Sequence, residues 1–172
     1  MFLAWLGASL LITCAAFIPF GMAGFRVNVT PSEPIGLWRI LPLNRATRSG
    51  DLIFICPPAS AAMREARTRG YLRHGLCAGG VAPLIKRVAA TSGQVVEIDD
   101  DVRIDGRRLL HSQLMVRDGQ GRQIVPYAGG VVASGTVYLH SDFPGSFDSR
   151  YFGPLPGRHV LGLAQEVWTY AP

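Results

Sequence analysis

Lys86 is the only lysine among the seventeen Lys and Arg residues of this 172-residue chain. It stands in the apolar run Pro83-Leu84-Ile85-Lys86-Arg87-Val88-Ala89-Ala90. A guanidinium keeps its charge under any condition a protein meets, whereas a desolvated lysine amine can lose its proton near neutral pH and become a base. If Leu84 to Val88 is a strand, period-two alternation puts Lys86 on one face with Leu84 and Val88, and Arg87 on the other. A dry face of that kind suits a lowered pKa. The alternative, an arginine-rich composition in which one surface lysine survives, stays open on position alone.

A base needs a nucleophile, and Ser32 is a candidate. It lies between Pro31 and Pro34 in Asn28-Val29-Thr30-Pro31-Ser32-Glu33-Pro34-Ile35-Gly36-Leu37-Trp38, where proline restricts the backbone and holds a hydroxyl in a fixed direction. An ordinary turn serine is the competing reading. A third segment, His140-Ser141-Asp142-Phe143-Pro144-Gly145-Ser146-Phe147-Asp148-Ser149-Arg150-Tyr151-Phe152-Gly153-Pro154, packs hydroxyls, acids and one arginine between Gly and Pro residues. Asp148 and Arg150 are able to form a charge pair that holds such a loop in shape; a solvated surface loop is the alternative.

These residues need a scaffold, and the pattern predicts a mainly β one. Residues 26–40 carry Pro31, Pro34 and Gly36, which favour an extended or turning segment. Asp51 to Cys56 reads as a buried strand stopped by Pro57 and Pro58. Residues 59–72 have helical composition, with Ser60 able to cap the start and Gly75 beyond the end. Leu84 to Ala90 and Gln94 to Ile98 read as strands around Thr91-Ser92-Gly93. The hairpin Val102-Arg103-Ile104, Asp105-Gly106, Arg107 to Leu110 is signalled by an Asp-Gly pair that tolerates positive φ. Further strands are expected at Arg122 to Val125, Thr136 to His140 and His159 to Tyr170. Arg64, Arg67, Arg69 and Arg73 read as the solvated face of the short helix.

Composition narrows the class. From Phe2 to Phe25 there is no charged side chain, longer than the roughly 20 residues that span a bilayer as a helix. A transmembrane anchor over residues 1–25 is therefore expected, followed by one domain over residues 26–172. A cleaved signal peptide fits less well, because no basic region precedes the apolar run. The net charge of +5 suits a domain resting on anionic lipid headgroups. No recognition helix, zinc finger or aromatic platform accompanies the charge, so nucleic acid is not an expected partner. Arg26 after the anchor would by itself favour a cytoplasmic domain, but long segments translocate largely regardless of charge. Cys14 falls in the anchor. Cys56 and Cys77 bound an insert, residues 57–76, and joining them would contribute on the order of 3 kcal/mol in an oxidising compartment. Two buried free thiols are the alternative. No His/Cys spacing predicts a metal site, and no cofactor is expected.

Taken together, the segments Thr30 to Trp38, Gly50 to Phe54, Leu84 to Val88 with Gly93, and Ser146 to Gly153 resemble, in that order, the signal peptidase I clan, and within it the TraF-type peptidases of conjugative transfer. The resemblance covers most of residues 28–165. It implies a signal-peptidase-like β domain, with Ser32 as nucleophile and Lys86 as general base. It further implies that Thr30 and the Ser32 amide form an oxyanion hole, that Ser146 orients the lysine, and that Asp148 and Arg150 support the site. Ordinary secretory signal peptidases carry Met after the nucleophile, where Glu33 stands here, and a long accessory β region that this chain lacks. Both departures favour the TraF type, which implies an inner-membrane protein with a periplasmic catalytic domain. Such a protein removes a leader from a pilin precursor, in some members joins the pilin's ends, and works beside a conjugation apparatus. The competing expectations are a general secretory signal peptidase and a non-catalytic membrane-tethered subunit of a conjugation or secretion apparatus. No GxSxG elbow occurs, and Pro83 excludes an SxxK site ending at Lys86.

Overall fold

The computed structural model describes residues 21–171. The expected transmembrane anchor, with Cys14 inside it, lies outside the described residues except for its last five positions. Among the described residues no helix is long and apolar enough to cross a membrane.

The described chain is mainly β, as its composition predicts. Strands β1 (Phe25–Asn28), β2 (Ile35–Leu41), β3 (Leu52–Ile55), β4 (His74–Cys77), β5 (Leu84–Thr91) and β6 (Val95–Ile98) come first. They are followed by β7 (Val102–Ile104), β8 (Arg107–Arg108), β9 (Gly130–Val131), β10 (Thr136–His140), β11 (Leu155–Pro156) and β12 (Val160–Tyr170). Two helices are short: α1 (Ala61–Thr68) and α2 (Ser149–Phe152). A seven-stranded sheet runs β1-β2-β12-β3-β5-β10-β11, and a four-stranded sheet runs β8-β7-β6-β9.

The seven-stranded sheet positions the chemistry. Strands β1 and β2 form an antiparallel hairpin whose last register pair is Asn28 with Gly36, so Ser32 lies in the turn between them. Strand β5 runs between β3 and β10, with Lys86 opposite Ile53 and Arg87 opposite both Leu52 and His140. Along β5 the Lys86 side chain is buried and Arg87 exposed, the alternation expected of a strand. Ile53, Ile55, Val88, Val137 and Leu139 fill the core beneath, together with Met63, Ala66 and Leu72 from the insert. The insert is thus packed onto the domain by its own apolar residues. It is also pinned by a Cys56–Cys77 disulfide, with Cα atoms 5.5 Å apart.

The helix of the insert is shorter than its composition suggests. Ser60 caps it as expected, its hydroxyl accepting from the Met63 amide. It ends at Gly70 rather than near Gly75. Gly70 takes φ +81°, Tyr71 N–H reaches back to Ala66 and Gly70 N–H to Arg67, a Schellman termination that only a positive-φ residue allows comfortably. The strand expected over Arg122 to Val125 does not form; a single Arg117–Gln123 bridge stands there instead. Asp118 accounts for the difference. Its carboxylate collects the amides of Gln120 and Arg122 and the Arg122 side chain, closing a local turn in place of a ladder. The Asp105-Gly106 hairpin forms as predicted, both residues at positive φ.

Gly36 fixes the hairpin against β12. At φ +140° a Cβ there would lie 2.3 Å from the Trp168 carbonyl oxygen and 2.9 Å from the Thr169 Cα. Both are backbone atoms in the register partner, so they cannot turn aside. Gly36→Ala is expected to destabilise the domain by about 2 kcal/mol or more, seen as a lower melting temperature of the full chain.

Candidate active site

The turn that carries Ser32 is built by Asn28. Asn28 Nδ2 donates toward the carbonyls of Thr30 (2.9 Å), Glu33 (2.8 Å) and Pro34 (3.0 Å). Its Oδ1 accepts the Thr30 amide (3.1 Å) and the Thr30 hydroxyl (2.7 Å). One side chain thereby satisfies most of the turn's backbone, which prolines at 31 and 34 leave with few amides of its own. The Trp38 indole N–H closes on the Pro34 carbonyl at 2.9 Å and buries the hairpin's inner face. From the other side the Ser141 hydroxyl donates to the Ser32 carbonyl.

The Ser32 and Thr30 hydroxyl oxygens are 3.4 Å apart. The Thr30 proton is committed to Asn28 Oδ1, so lending it to an oxyanion requires that hydroxyl to turn. Among the described residues no acceptor takes the Ser32 backbone N–H, which leaves it available to a ligand.

Ser32 and Lys86 line one cavity of about 310 Å³, together with Thr30, Tyr71, Ser146 and Phe147. Lys86 is 3% exposed and makes no ion pair among the described residues. Burial pushes its amine down to about 8; Asp148 and Glu33 pull the other way and Arg150 adds to the depression. Desolvation therefore dominates, as expected for a cation without a partner in an apolar wall.

Asp148 and Arg150 hold the loop that closes the cavity. Both are 0% exposed and paired in a fork, Nε to Oδ1 at 2.8 Å and Nη2 to Oδ2 at 2.9 Å. Arg150 also donates to the carbonyls of Gln113 (3.0 Å) and Ser146 (3.1 Å). Asp148 caps α2 through the Arg150 amide and accepts the Ser141 amide at 3.2 Å. Burial pushes the Asp148 carboxyl up, but the His140 ring and the Arg150 guanidinium beside it hold it below the ordinary carboxylate range. Phe147 stacks on Tyr151 and meets Tyr71 and Phe152, fixing the backbone next to Ser146. The Ser146 hydroxyl is buried with no hydrogen-bond partner among the described residues, so it lines the Lys86 cavity without bonding to the amine.

The sequence-predicted residues Thr30, Ser32, Lys86 and Ser146 thus meet at one cavity. Asp148 and Arg150 lie behind it as an internal brace. Cys56 and Cys77 line a different cavity, of about 420 Å³, that shares Val27, Asn28, Ala82, Pro83 and Ile85 with the first. Sequence reasoning assigned no role to Asn28 or Ser141, which shape the Ser32 turn. His140, which the sequence offered only to a Ser/His/Asp hydrolase lacking its GxSxG elbow, is buried with Nδ1 3.5 Å from Asp148 Oδ2. For Asn28 a signal was present: an Asn two residues ahead of Thr-Pro is a natural turn former through its own side chain. Among the described residues no three His, Cys, Asp or Glu side chains are grouped to hold a metal.

A buried amine and a turn hydroxyl thus line one cavity, with a free amide beside the hydroxyl. The family described as "Signal peptidase, peptidase S26" matches residues 1–169, and the chain belongs to it. Within that family it is 60% identical over 149 residues to a probable conjugal transfer protein TraF of Sinorhizobium fredii, covering 87% of this chain and 79% of that one. It is 52% identical over 168 residues to the conjugal transfer protein TraF of Agrobacterium fabrum, covering 98% and 96% of the two chains. A plasmid transfer protein TraF of Escherichia coli is 37% identical over 169 residues, with 95% and 92% covered. A signal peptidase I of Enterococcus faecalis aligns at TM-score 0.42 with 20% identity, over 69% of this chain and 97% of that one.

Removing the acid of the brace would leave the Arg150 guanidinium buried and uncompensated. Asp148→Asn is expected to destabilise the full chain by roughly 3 kcal/mol or more, measured by denaturant unfolding.

Proposed function

We propose that this chain is a membrane-anchored serine endopeptidase of conjugative transfer, which removes the leader from a pilin precursor with Ser32 as nucleophile and Lys86 as general base. The observation that carries this reading is the shared cavity of Ser32 and an unpaired, buried Lys86 amine held near pKa 8. The relatives named as conjugal and plasmid transfer proteins support the setting. The apolar run before Arg26 supports an inner-membrane anchor, and the Cys56–Cys77 disulfide favours a periplasmic domain, because such bonds persist outside the reducing cytosol.

In this mechanism neutral Lys86 Nζ takes the Ser32 proton as Oγ attacks the scissile carbonyl. The Ser32 N–H, joined by the Thr30 hydroxyl once it leaves Asn28, stabilises the oxyanion, and each such donor is worth roughly 3 to 4 kcal/mol in comparable sites. The lysinium returns its proton to the leaving amine. Water or an amine then resolves the acyl-enzyme; where the cut is at the pilin's C-terminal end, so that the pilin itself is the acyl group, its own N-terminus would close a ring. A non-catalytic subunit would have no use for an amine kept buried and unpaired.

Co-expression of the full chain with a pilin precursor tests this directly. Ser32→Ala and Lys86→Arg are each expected to abolish leader removal, read as the mass of the product, because arginine keeps the charge and loses the basicity. Normal cleavage by Lys86→Arg would refute the base. With a pKa near 8, only about a tenth of the enzyme carries neutral Lys86 at pH 7. The neutral form grows with rising pH, so kcat/KM is expected to climb through a limb centred near pH 8 and to level off above it.

A further inference from the structure

A second cavity, of about 380 Å³, also opens on Ser32 but not on Lys86 or Thr30; its lining includes Glu33, Arg87, His140, Ser141 and Asp142. The two cavities differ in chemistry. The first is lined by Tyr71, Leu84, Ile85 and Phe147 with the cations Lys86 and Arg73 and no carboxylate, whereas the second carries two carboxylates against the single exposed guanidinium of Arg87. Neither acid has an arginine or lysine ion-pair partner among the described residues; Asp142 has only the His140 ring at 3.5 Å. Glu33 is next to the nucleophile in the chain, and its backbone is fixed by Asn28. Glu33 thus lines this cavity beside Ser32, half-buried and without an ion pair among the described residues.

We infer that this second cavity receives the primary amine of a peptide N-terminus, with Glu33 as its counter-ion and as the acceptor of its proton when the amine attacks the acyl-enzyme. The inference rests on the Ser32 acyl-enzyme proposed above and assigns its amine side. A peptide amine arrives as an ammonium at neutral pH and is not a nucleophile until it loses a proton. Of its three protons, one passes to the Glu33 carboxylate, one reaches Ser32 Oγ by way of Lys86 as the ester C–O bond breaks, and one stays on the new amide nitrogen. Charge balances, since ammonium and carboxylate become amide and carboxylic acid. Burial raises the Glu33 carboxyl above its ordinary range, with Lys86 and Arg87 opposing, and that makes it a better proton acceptor than a solvated glutamate. The same amine is the group that a cleaved peptide bond releases, so the pocket also holds the departing N-terminus within reach for the reverse step.

The test is partition of the acyl-enzyme within one reaction. The full chain in detergent cleaves the pilin precursor in the presence of glycinamide or, separately, methanol, and mass spectrometry reads the ratio of adduct to hydrolysed leader. Because both products come from one intermediate, a general loss of acylation cancels. Glu33→Gln is expected to lower the glycinamide ratio at least fivefold and to leave the methanol ratio within twofold, with Glu33→Asp recovering part of the loss. A glycinamide ratio that falls less than fivefold, or falls together with methanol, overturns the pocket's role. So does a wild-type enzyme that cleaves but forms no glycinamide adduct. If the wild type does not cleave at all, the peptidase reading fails first and this inference with it.

Discussion

The buried fork between Asp148 and Arg150 is the constraint on which the site's geometry depends. Two opposite charges at 0% exposure are tolerated only when each satisfies the other and both find further hydrogen bonds. Here the remaining valences are spent on the loop itself: Arg150 takes the carbonyls of Gln113 and Ser146, and Asp148 takes the amides of Ser141 and Arg150. The pair thereby fixes three positions that face the nucleophile. Ser146 lines the Lys86 cavity, Phe143 borders both cavities at Ser32, and Ser141 holds the Ser32 carbonyl. A less specific loop closure, by apolar packing alone, would leave these positions free to shift.

The same pair has an electrical consequence. Asp148 stabilises the charged form of Lys86 and Arg150 destabilises it, so their influences on the amine oppose one another. Desolvation is the largest influence and outweighs the carboxylates of Asp148 and Glu33, moving the amine toward the range in which a base works.

Much of this was legible in the chain before any coordinates. The alternation around Lys86 foretold a buried amine on β5, Ser60 marked the start of α1, and Thr136 to His140 forms the strand its pattern requires. Those features follow from periodicity and capping, which are local. The parts that escaped notice are held by single side chains acting on distant or irregular backbone. Asn28 organises a turn through five contacts, Ser141 reaches Ser32 across 109 residues of sequence, and Asp118 gathers residues 120–122 where alternation predicted a strand. No period encodes such contacts. The β1–β2 hairpin was read only as an extended or turning segment for the same reason, since its pairing partner lies beyond a turn whose closure depends on Asn28.

The distribution of cations carries a final argument about why position 86 holds lysine. Wherever a cation is structural in this domain it is an arginine making several directed bonds. Arg45 grips Asp51 with both terminal nitrogens, Arg122 binds Asp118 and the Arg69 carbonyl, and Arg150 spreads over Asp148 and two carbonyls. A guanidinium is suited to that work because its donors are numerous, planar and permanently charged. Lys86 has none of these bonds, although it is among the most buried polar groups in the domain. A permanently charged guanidinium in its place would need acceptors that the apolar wall of β5 does not supply, and its burial would cost several kcal/mol. With a pKa near 8 the amine can release its proton, as a guanidinium cannot, so the feature that makes lysine more tolerable here is the one that makes it reactive.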